Sequence, residues 1–355
     1  MVETMSQRLT EITDIPSISG NEKKISEYLR KKYEPLCDEI VYDNLGSIYA
    51  VKKSTNPDAA RVMVHAHMDE LGFIVKKIQE NGTIQALALG KVEPNALLGQ
   101  VVKLTNRAGD TFKGVILGFN QANLALDKNN IVLLDIGLSS AQEAENSGIT
   151  FGDMVTFDTP FFASSNGKEI YAHNWNGRLG AALGVHLLEA VKEESFDFDL
   201  YVGCAVQEHV GLRGAQTATN LVKPDLALVL DTERAMDYQK DAMDVIGELG
   251  KGLLITYYDT TVLPNRLLVN TLKELCQKEE IPYQYYYSME DSDAGWINKL
   301  RTGAPTLFLN TAVRNMNTPL QAIALADYQA VQTALVKFIL QLTNDQIDAF
   351  KCENR

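Results

Sequence analysis

The apolar run 200–206 stops abruptly at Gln207-Glu208-His209, and Gly211 and Gly214 then break the regular backbone. A short, nearly continuous apolar run reads as a strand buried on both faces. Such a strand belongs inside a sheet covered by helices, and in that architecture chemistry sits where strands end in loops. A glutamate and a histidine side by side at a strand end can supply a general base and a metal ligand. As plain loop residues they would only be solvated.

Other stretches repeat this texture. Residues 61–64, 226–230, 282–287 and 306–309 read as strands, and each runs into polar residues: His65, His67 and Asp69; Asp231-Thr232-Glu233; Asp291-Ser292-Asp293; and Asn315-Met316-Asn317. Residues 3–12, 22–33, 179–193, 265–279 and 324–342 carry helical patterns, with Ser19 or Asn21 as the cap of the second. Short strands at 39–42 and 47–52 flank the turn Asp43-Asn44-Leu45-Gly46. From 72 to 162 the rhythm changes. Short apolar runs alternate with turns at Glu80-Asn81-Gly82, Arg107-Ala108-Gly109-Asp110 and Lys128-Asn129-Asn130, and only 140–147 reads as helix. The expectation is an α/β chain. A three-layer α/β/α main domain comprises residues 1–70 and 165–355, and a small β-barrel-like domain, 71–164, is inserted in it.

A formal net charge of −13 argues against nucleic acid or an anionic membrane as main partner. No apolar run approaches the ~20 residues of a membrane span, and the amino end lacks the apolar region of a signal peptide. The four cysteines are widely spaced with no CxxC pair, which gives no support to a zinc ribbon or a redox motif and suits reduced thiols in the cytoplasm.

His65, His67 and Asp69 alternate, so on an extended backbone they face one way. Asp69 can accept a hydrogen bond from a histidine and fix its tautomer while the other ring nitrogen binds metal. Histidine, glutamate and aspartate gathered at several strand ends suit a borderline divalent ion such as zinc. Asp291 and Glu233 are expected to be solvated or hydrogen-bonding groups.

Several motifs resemble those of the glutamyl, deblocking and tetrahedral-type metallo-aminopeptidases, some of which have carried an endoglucanase label. They are Ile15-Pro16-Ser17-Ile18-Ser19-Gly20-Asn21-Glu22, Asp43-Asn44-Leu45-Gly46, Val64-His65-Ala66-His67-Met68-Asp69-Glu70-Leu71-Gly72-Phe73, Asp135-Ile136-Gly137, Gly152-Asp153-Met154-Val155 and residues 207–215. The resemblance covers nearly the whole chain. It implies a peptide substrate, a two-metal site, a homo-oligomer (dimer or dodecamer) joined through the inserted domain, and a cis peptide between Asn176 and Gly177. By resemblance His67 and Asp231 are ligands of one ion, Asp69 orients His67, and Glu208 is the general base. Asn176 stands where a carboxylate should bridge both ions, His209 where a glutamate should bind the second, and Asn317 where the second ion's histidine should be.

Three of five ligand positions therefore depart from the family pattern. Two carboxylates balance much of the charge of two dications, and their loss leaves the ions' repulsion poorly offset. The expectation is at most one tightly bound zinc, cobalt or manganese ion per chain, on the His67/Asp231 side. Two functional readings follow: an aminopeptidase-like hydrolase with a degraded metal site, or an inactive relative retained for assembly or ligand binding. A glycosidase with paired carboxylates fits less well, because the acids here are arranged around histidines.

Overall fold

The computed structural model describes residues 5–119, 131–238 and 246–353. Its centre is a six-stranded sheet in the order Glu39–Tyr42, Ile48–Lys52, Asp199–Ala205, Arg61–His67, Leu226–Val229, Thr306–Phe308. The last four strands run parallel, and the first two form an antiparallel hairpin at the edge. Alternation along Arg61–His67 sorts its side chains between two layers. Val62, Val64 and Ala66 join a large core with helices Lys23–Tyr33, Trp175–Ala190, Arg266–Lys278 and Leu325–Gln341. Met63 packs on the other face with Ala218 and Val222 of helix Arg213–Val222 and Ala294 and Ile297 of helix Ala294–Lys299. This is the expected α/β/α arrangement. Gly203 sits where a Cβ would fall 2.7 Å from the Tyr49 Cα, so a side chain there would push the hairpin off the sheet.

Register sets the strand ends level. His67 is opposite Ala205, and His65 is opposite both Gly203 and Val229. The segments beginning at Met68, Val206 and Leu230 therefore leave the sheet at the same edge.

Between Arg61–His67 and Asp199–Ala205 the chain makes a closed six-stranded antiparallel barrel. Its order is Gly72–Ile78, Ile84–Leu89, Ile131–Asp135, Thr111–Phe119, Val101–Thr105, Met154–Phe157. It has its own core, in which Phe73 packs edge-on to Phe157. The expected turn at Lys128-Asn129-Asn130 lies outside the described residues.

Some elements differ from the expectation. The strand Tyr283–Tyr287 pairs with Leu253–Tyr258, which the sequence reading passed over, in a separate two-stranded sheet. Tyr285 and Tyr257 are each about half exposed, a surface that a doubly covered sheet could not bury. Helices Arg213–Val222 and Asn344–Cys352 were also not foreseen. Ser19 and Asn21 do not cap the second helix, whose N-cap is Glu22 without a side-chain cap bond. Among the described residues no helix is long and apolar enough to cross a membrane.

A buried clamp holds the strand edge. Arg178, fully buried, donates to the carbonyls of Met68 and Ile15, to Ser17 Oγ and to Glu70 Oε1. Glu70 also accepts from the Ser17 amide at 2.7 Å and the Asn174 amide group at 2.9 Å, and His173 Nε2 lies 3.0 Å away. Burial alone would raise the Glu70 carboxyl, but Arg178 and then His173 outweigh it and hold it down at about 2. Burial lowers the Arg178 guanidinium, which still stays charged. Because the folded value lies below the usual ~4.3 for glutamate, the Glu70 contribution is complete above that pH and is lost as pH falls through about 2. Glu70→Gln should therefore destabilise the fold by about 3–5 kcal/mol at pH 7, the cost of leaving a buried charge unpaired. Denaturant titration checks this, and the gap between variant and wild type should narrow as pH is lowered from 5 towards 2.

Candidate metal centre at the strand edge

His67 is the last residue of its strand and 2 % exposed. Its Nε2 lies 2.7 Å from Asn176 Oδ1 and 3.8 Å from Asp231 Oδ1, and its Nδ1 is 3.5 Å from Asp69 Oδ1. Asp69 is fully buried. Its carboxylate accepts from Ser19 Oγ at 2.6 Å and from the backbone amides of Glu208 at 2.9 Å and His209 at 3.1 Å. Burial raises the Asp69 carboxyl, yet the nearby His67 imidazole, the charge of His209 and the Ser19 hydroxyl together hold it far below the usual range.

Asn176 lies one residue into the helix that begins at Trp175, where the backbone departs from helical geometry. Asn176 has φ −61° and ψ 118°, and Gly177 has φ 88° and ψ −43°. A Cβ on Gly177 would lie 2.8 Å from His67 Cε1, 2.9 Å from His67 Nδ1 and 2.8 Å from the Asp69 carbonyl oxygen. Glycine meets both demands, the positive φ and the close approach. The expected cis peptide between Asn176 and Gly177 is not present, since every described peptide bond is trans. The left-handed Gly177 makes the turn instead.

The loop after Ala205 turns through left-handed Gln207 (φ 57°) and Leu212 (φ 55°). His209 stands edge-on to His67, with ring centroids 5.1 Å apart. His209 Nδ1 is 2.7 Å from Glu208 Oε2, off line for a hydrogen bond, and His209 Nε2 has no hydrogen-bond partner. Burial favours neutral imidazoles, but it is outweighed at both rings. Glu208, Asp231 and Asp69 hold His67 well above the usual histidine range, and Glu208 and Asp69 raise His209.

Asn176, Glu208, His209, Asp231 and Asn317 line one cavity of about 230 Å³. Asn317, in the left-handed conformation, accepts the Glu93 amide through its backbone carbonyl. The larger cavity of about 760 Å³ lies elsewhere, between Gly20–Glu22 and Asn106 and Asp153 of the barrel, and contains none of these residues. His65 and Asp293 also lie apart. Tyr49 Oη is 2.7 Å from His65 Nδ1, and His65 Nε2 is 2.8 Å from Asp293 Oδ2, a link inside the sheet layer. Glu233 was expected to be solvated or hydrogen bonding. It is only 7 % exposed, lines the cavity and accepts from Ser288 Oγ at 3.1 Å. Burial and the neighbouring Asp231 push its carboxyl well above the usual range. Nothing in its sequence context marks that burial. Asp291 is exposed and paired with Lys91 at 3.1 Å.

The donor chemistry fits a divalent ion. His67 Nε2, Asn176 Oδ1 and Asp231 Oδ1 converge as one nitrogen and two oxygens, and Glu208 Oε2 and His209 Nε2 are buried without hydrogen-bond partners beside them. His67, Asp69, Glu208 and His209 each offer a ligand atom within 4.8 Å of the others, although Asp69 is engaged by its backbone and hydroxyl donors.

The family model for the M42 glutamyl aminopeptidases matches residues 46–333. The glutamyl aminopeptidase of Lactococcus lactis subsp. cremoris is 29% identical over 347 residues, covering 96% of this chain and 97% of that protein. The lysyl aminopeptidase of Pyrococcus furiosus is 27% identical over 336 residues, covering 92% and 93%. The crystal structure of a TET aminopeptidase from a marine sediment archaeon of the Thaumarchaeota superposes with a TM-score of 0.88 at 28% identity, covering 97% of this chain and 98% of that one.

The contact between Gly177 and His67 is directly testable. Gly177→Ala should cost about 1–3 kcal/mol, from the positive φ and the crowding of the imidazole. A thermal melt indistinguishable from wild type would contradict the close approach.

Proposed function

The chain belongs to the M42 glutamyl aminopeptidase family of peptide hydrolases, and on that premise we propose that it removes amino-terminal residues from peptides with at most one divalent ion per chain. The observation that carries this reading is the convergence of His67 Nε2, Asn176 Oδ1 and Asp231 Oδ1 beside Glu208 Oε2 and His209 Nε2, neither of which has a hydrogen-bond partner. His67 and Asp231, with the Asn176 amide oxygen, would hold a zinc, cobalt or manganese ion. Such an ion supplies Lewis acidity to a carbonyl and lowers the pKa of bound water.

The chain's own groups do the rest. Glu208 takes a proton from the attacking water and passes it to the leaving amine. Asp69 orients His67 and, through the amides of Glu208 and His209, fixes the loop that carries the base. The case for a single ion is electrostatic. Asn176 and His209 replace two carboxylates with neutral donors, and Asn317 offers only an amide, so a second dication would meet repulsion with little to offset it.

One feature favours a second reading, an inactive relative kept for assembly or ligand binding. His209 Nδ1 stands 2.7 Å from Glu208 Oε2, a close contact that crowds the proposed base although it is off line for a hydrogen bond.

The proposal extends to assembly: residues 71–164 act as a dimerisation unit and the chain forms a homo-oligomer, a dimer or a dodecamer. Leu98, Val101, Leu117 and Phe151 support it, since all are exposed on the barrel segment. Light scattering should give a dimer or larger species at micromolar concentration, and a stable monomer would overturn this part.

Calorimetric zinc titration tests the metal reading. It should give a stoichiometry no higher than one per chain, and His67→Ala should abolish it. Glu208→Gln should keep binding and lower hydrolysis of aminoacyl amides by about 10²–10⁴-fold, the usual loss of a general base. Two tight ions per chain would overturn the single-ion proposal, and binding without hydrolysis by wild type would favour the inactive relative.

A further inference from the structure

We infer that the cleft between the barrel and the start of helix Lys23–Tyr33 is a second ligand site, built for a free α-amino acid and separate from the metal centre. At about 760 Å³ it falls in the size range of sites that hold small organic ligands. One wall is the first turn of that helix with the Gly20–Glu22 turn before it. The other is the barrel around Thr105, Arg107 and Asp153.

The barrel wall carries two buried polar atoms that nothing in the chain satisfies. Asp153 is 2 % exposed; its Oδ2 accepts from the Thr150 amide at 2.7 Å, and its Oδ1 has no hydrogen-bond partner. Thr105 is 6 % exposed, and its Oγ1 has no partner either. Thr105 stands opposite Met154 in the barrel ladder, so the two orphaned atoms belong to neighbouring positions of one wall. A buried acceptor left unpaired is costly, and a carboxylate oxygen is best satisfied by a cationic donor. Arg107 is near enough for its charge to act on Asp153, but the two make no ion pair. Asn106 is already engaged. Its amide group donates to Asp110 Oδ2 and to the Ser147 carbonyl, both at 3.1 Å, and its Oδ1 accepts from the Asp110 amide at 2.9 Å.

The opposite wall has the complementary character. Helix Lys23–Tyr33 begins without a side-chain cap, and Glu22 Oε1 turns instead to the amides of Gly20 at 2.8 Å and Gln207 at 3.1 Å. The uncapped amides of the first turn and the positive end of the helix dipole suit an anion. Lys23 lies 3.9 Å from Glu27, whereas Lys24 makes no ion pair among the described residues. Tyr42 and Leu45 line the same cleft and are 44 % and 43 % exposed, an apolar surface for a side chain.

A ligand with only a carboxylate would meet Asp153, Glu22 and Glu27 with like charge. A ligand with only an amine would leave the helix start and Lys24 unanswered. An α-amino acid carries ammonium and carboxylate on one carbon, so it answers both walls in one small molecule while its side chain lies on Tyr42 and Leu45.

The test is calorimetry on the full-length, metal-loaded protein with leucine, phenylalanine, glutamate and lysine, and with N-acetylleucine and leucinol, each of which keeps one of leucine's two charges. Leucine should bind about tenfold or more tightly than either single-charge analogue, the worth of one charge-assisted hydrogen bond. Asp153→Asn should weaken leucine by about tenfold or more, and Lys24→Ala by about threefold. His67→Ala, at the metal centre, should leave leucine affinity within about twofold, as expected of a distant site. Loss of binding in His67→Ala with full retention in Asp153→Asn would overturn the inference. So would equal affinity for leucine, N-acetylleucine and leucinol, or no binding of any of the four amino acids up to about 10 mM. If Asp153→Asn fails to fold, Lys24→Ala, on the exposed start of a helix, decides together with the wild-type ligand series. Hydrolysis plays no part in these readings, so an inactive protein that binds leucine through Asp153 would sink the aminopeptidase proposal and uphold this one.

Discussion

The Asp69 carboxylate ties together the parts that make the site. It accepts from Ser19 in the opening turn, from the amides of Glu208 and His209 in the loop after the neighbouring strand, and it stands beside the His67 ring. One buried anion thus fixes three segments far apart in sequence. Its burial is costly, and it is offset by a hydroxyl and two backbone amides that donate to it and by the nearby His67 imidazole. The Arg178–Glu70 clamp next to it performs the same task one residue further along, pulling residues 15–17 and the Asn174 turn onto the strand end. The supports of the site are buried and cross-linked by these hydrogen bonds.

Against that fixed frame, the altered positions change charge more than shape. Asn176 reaches His67 Nε2 at 2.7 Å, so the amide converges on the ligand position that the resemblance gives to a carboxylate. His209 is brought to Glu208 and His67 by the same backbone bonds to Asp69. The frame therefore conserves convergence while the net charge available to metal falls. That separation is the basis of the proposal that the site takes one divalent ion rather than two.

Much of this was legible in the sequence. The buried strands and their polar ends located His67, Asp69, Glu208 and Asp231, because an apolar run has few places to go but the sheet interior and its exits are all at one edge. Asn176 and Asn317 carry no chemical mark of their own, and only the family resemblance singled them out. Glu233 was out of reach because its burial comes from the distant Ser288 segment and Asn310, contacts that no local pattern encodes. The helix Arg213–Val222 was missed for a different reason. Its buried face is built of Gly214, Ala215, Ala218, Thr219 and Val222, mostly small residues whose low apolar content masks a regular helical spacing, and it is entered through a left-handed Leu212. His65 and Asp293 were reasonable candidates by position, but the structure joins them to each other and to Tyr49 rather than to the cavity.

The central claim is that this frame holds a single ion on the His67 side. The most direct measurement is anomalous scattering from crystals grown with excess zinc. The account predicts one peak per chain, within bonding distance of His67 Nε2 and Asp231 and beside Asn176. A second peak of comparable height, bound by His209 and Asn317, would contradict it.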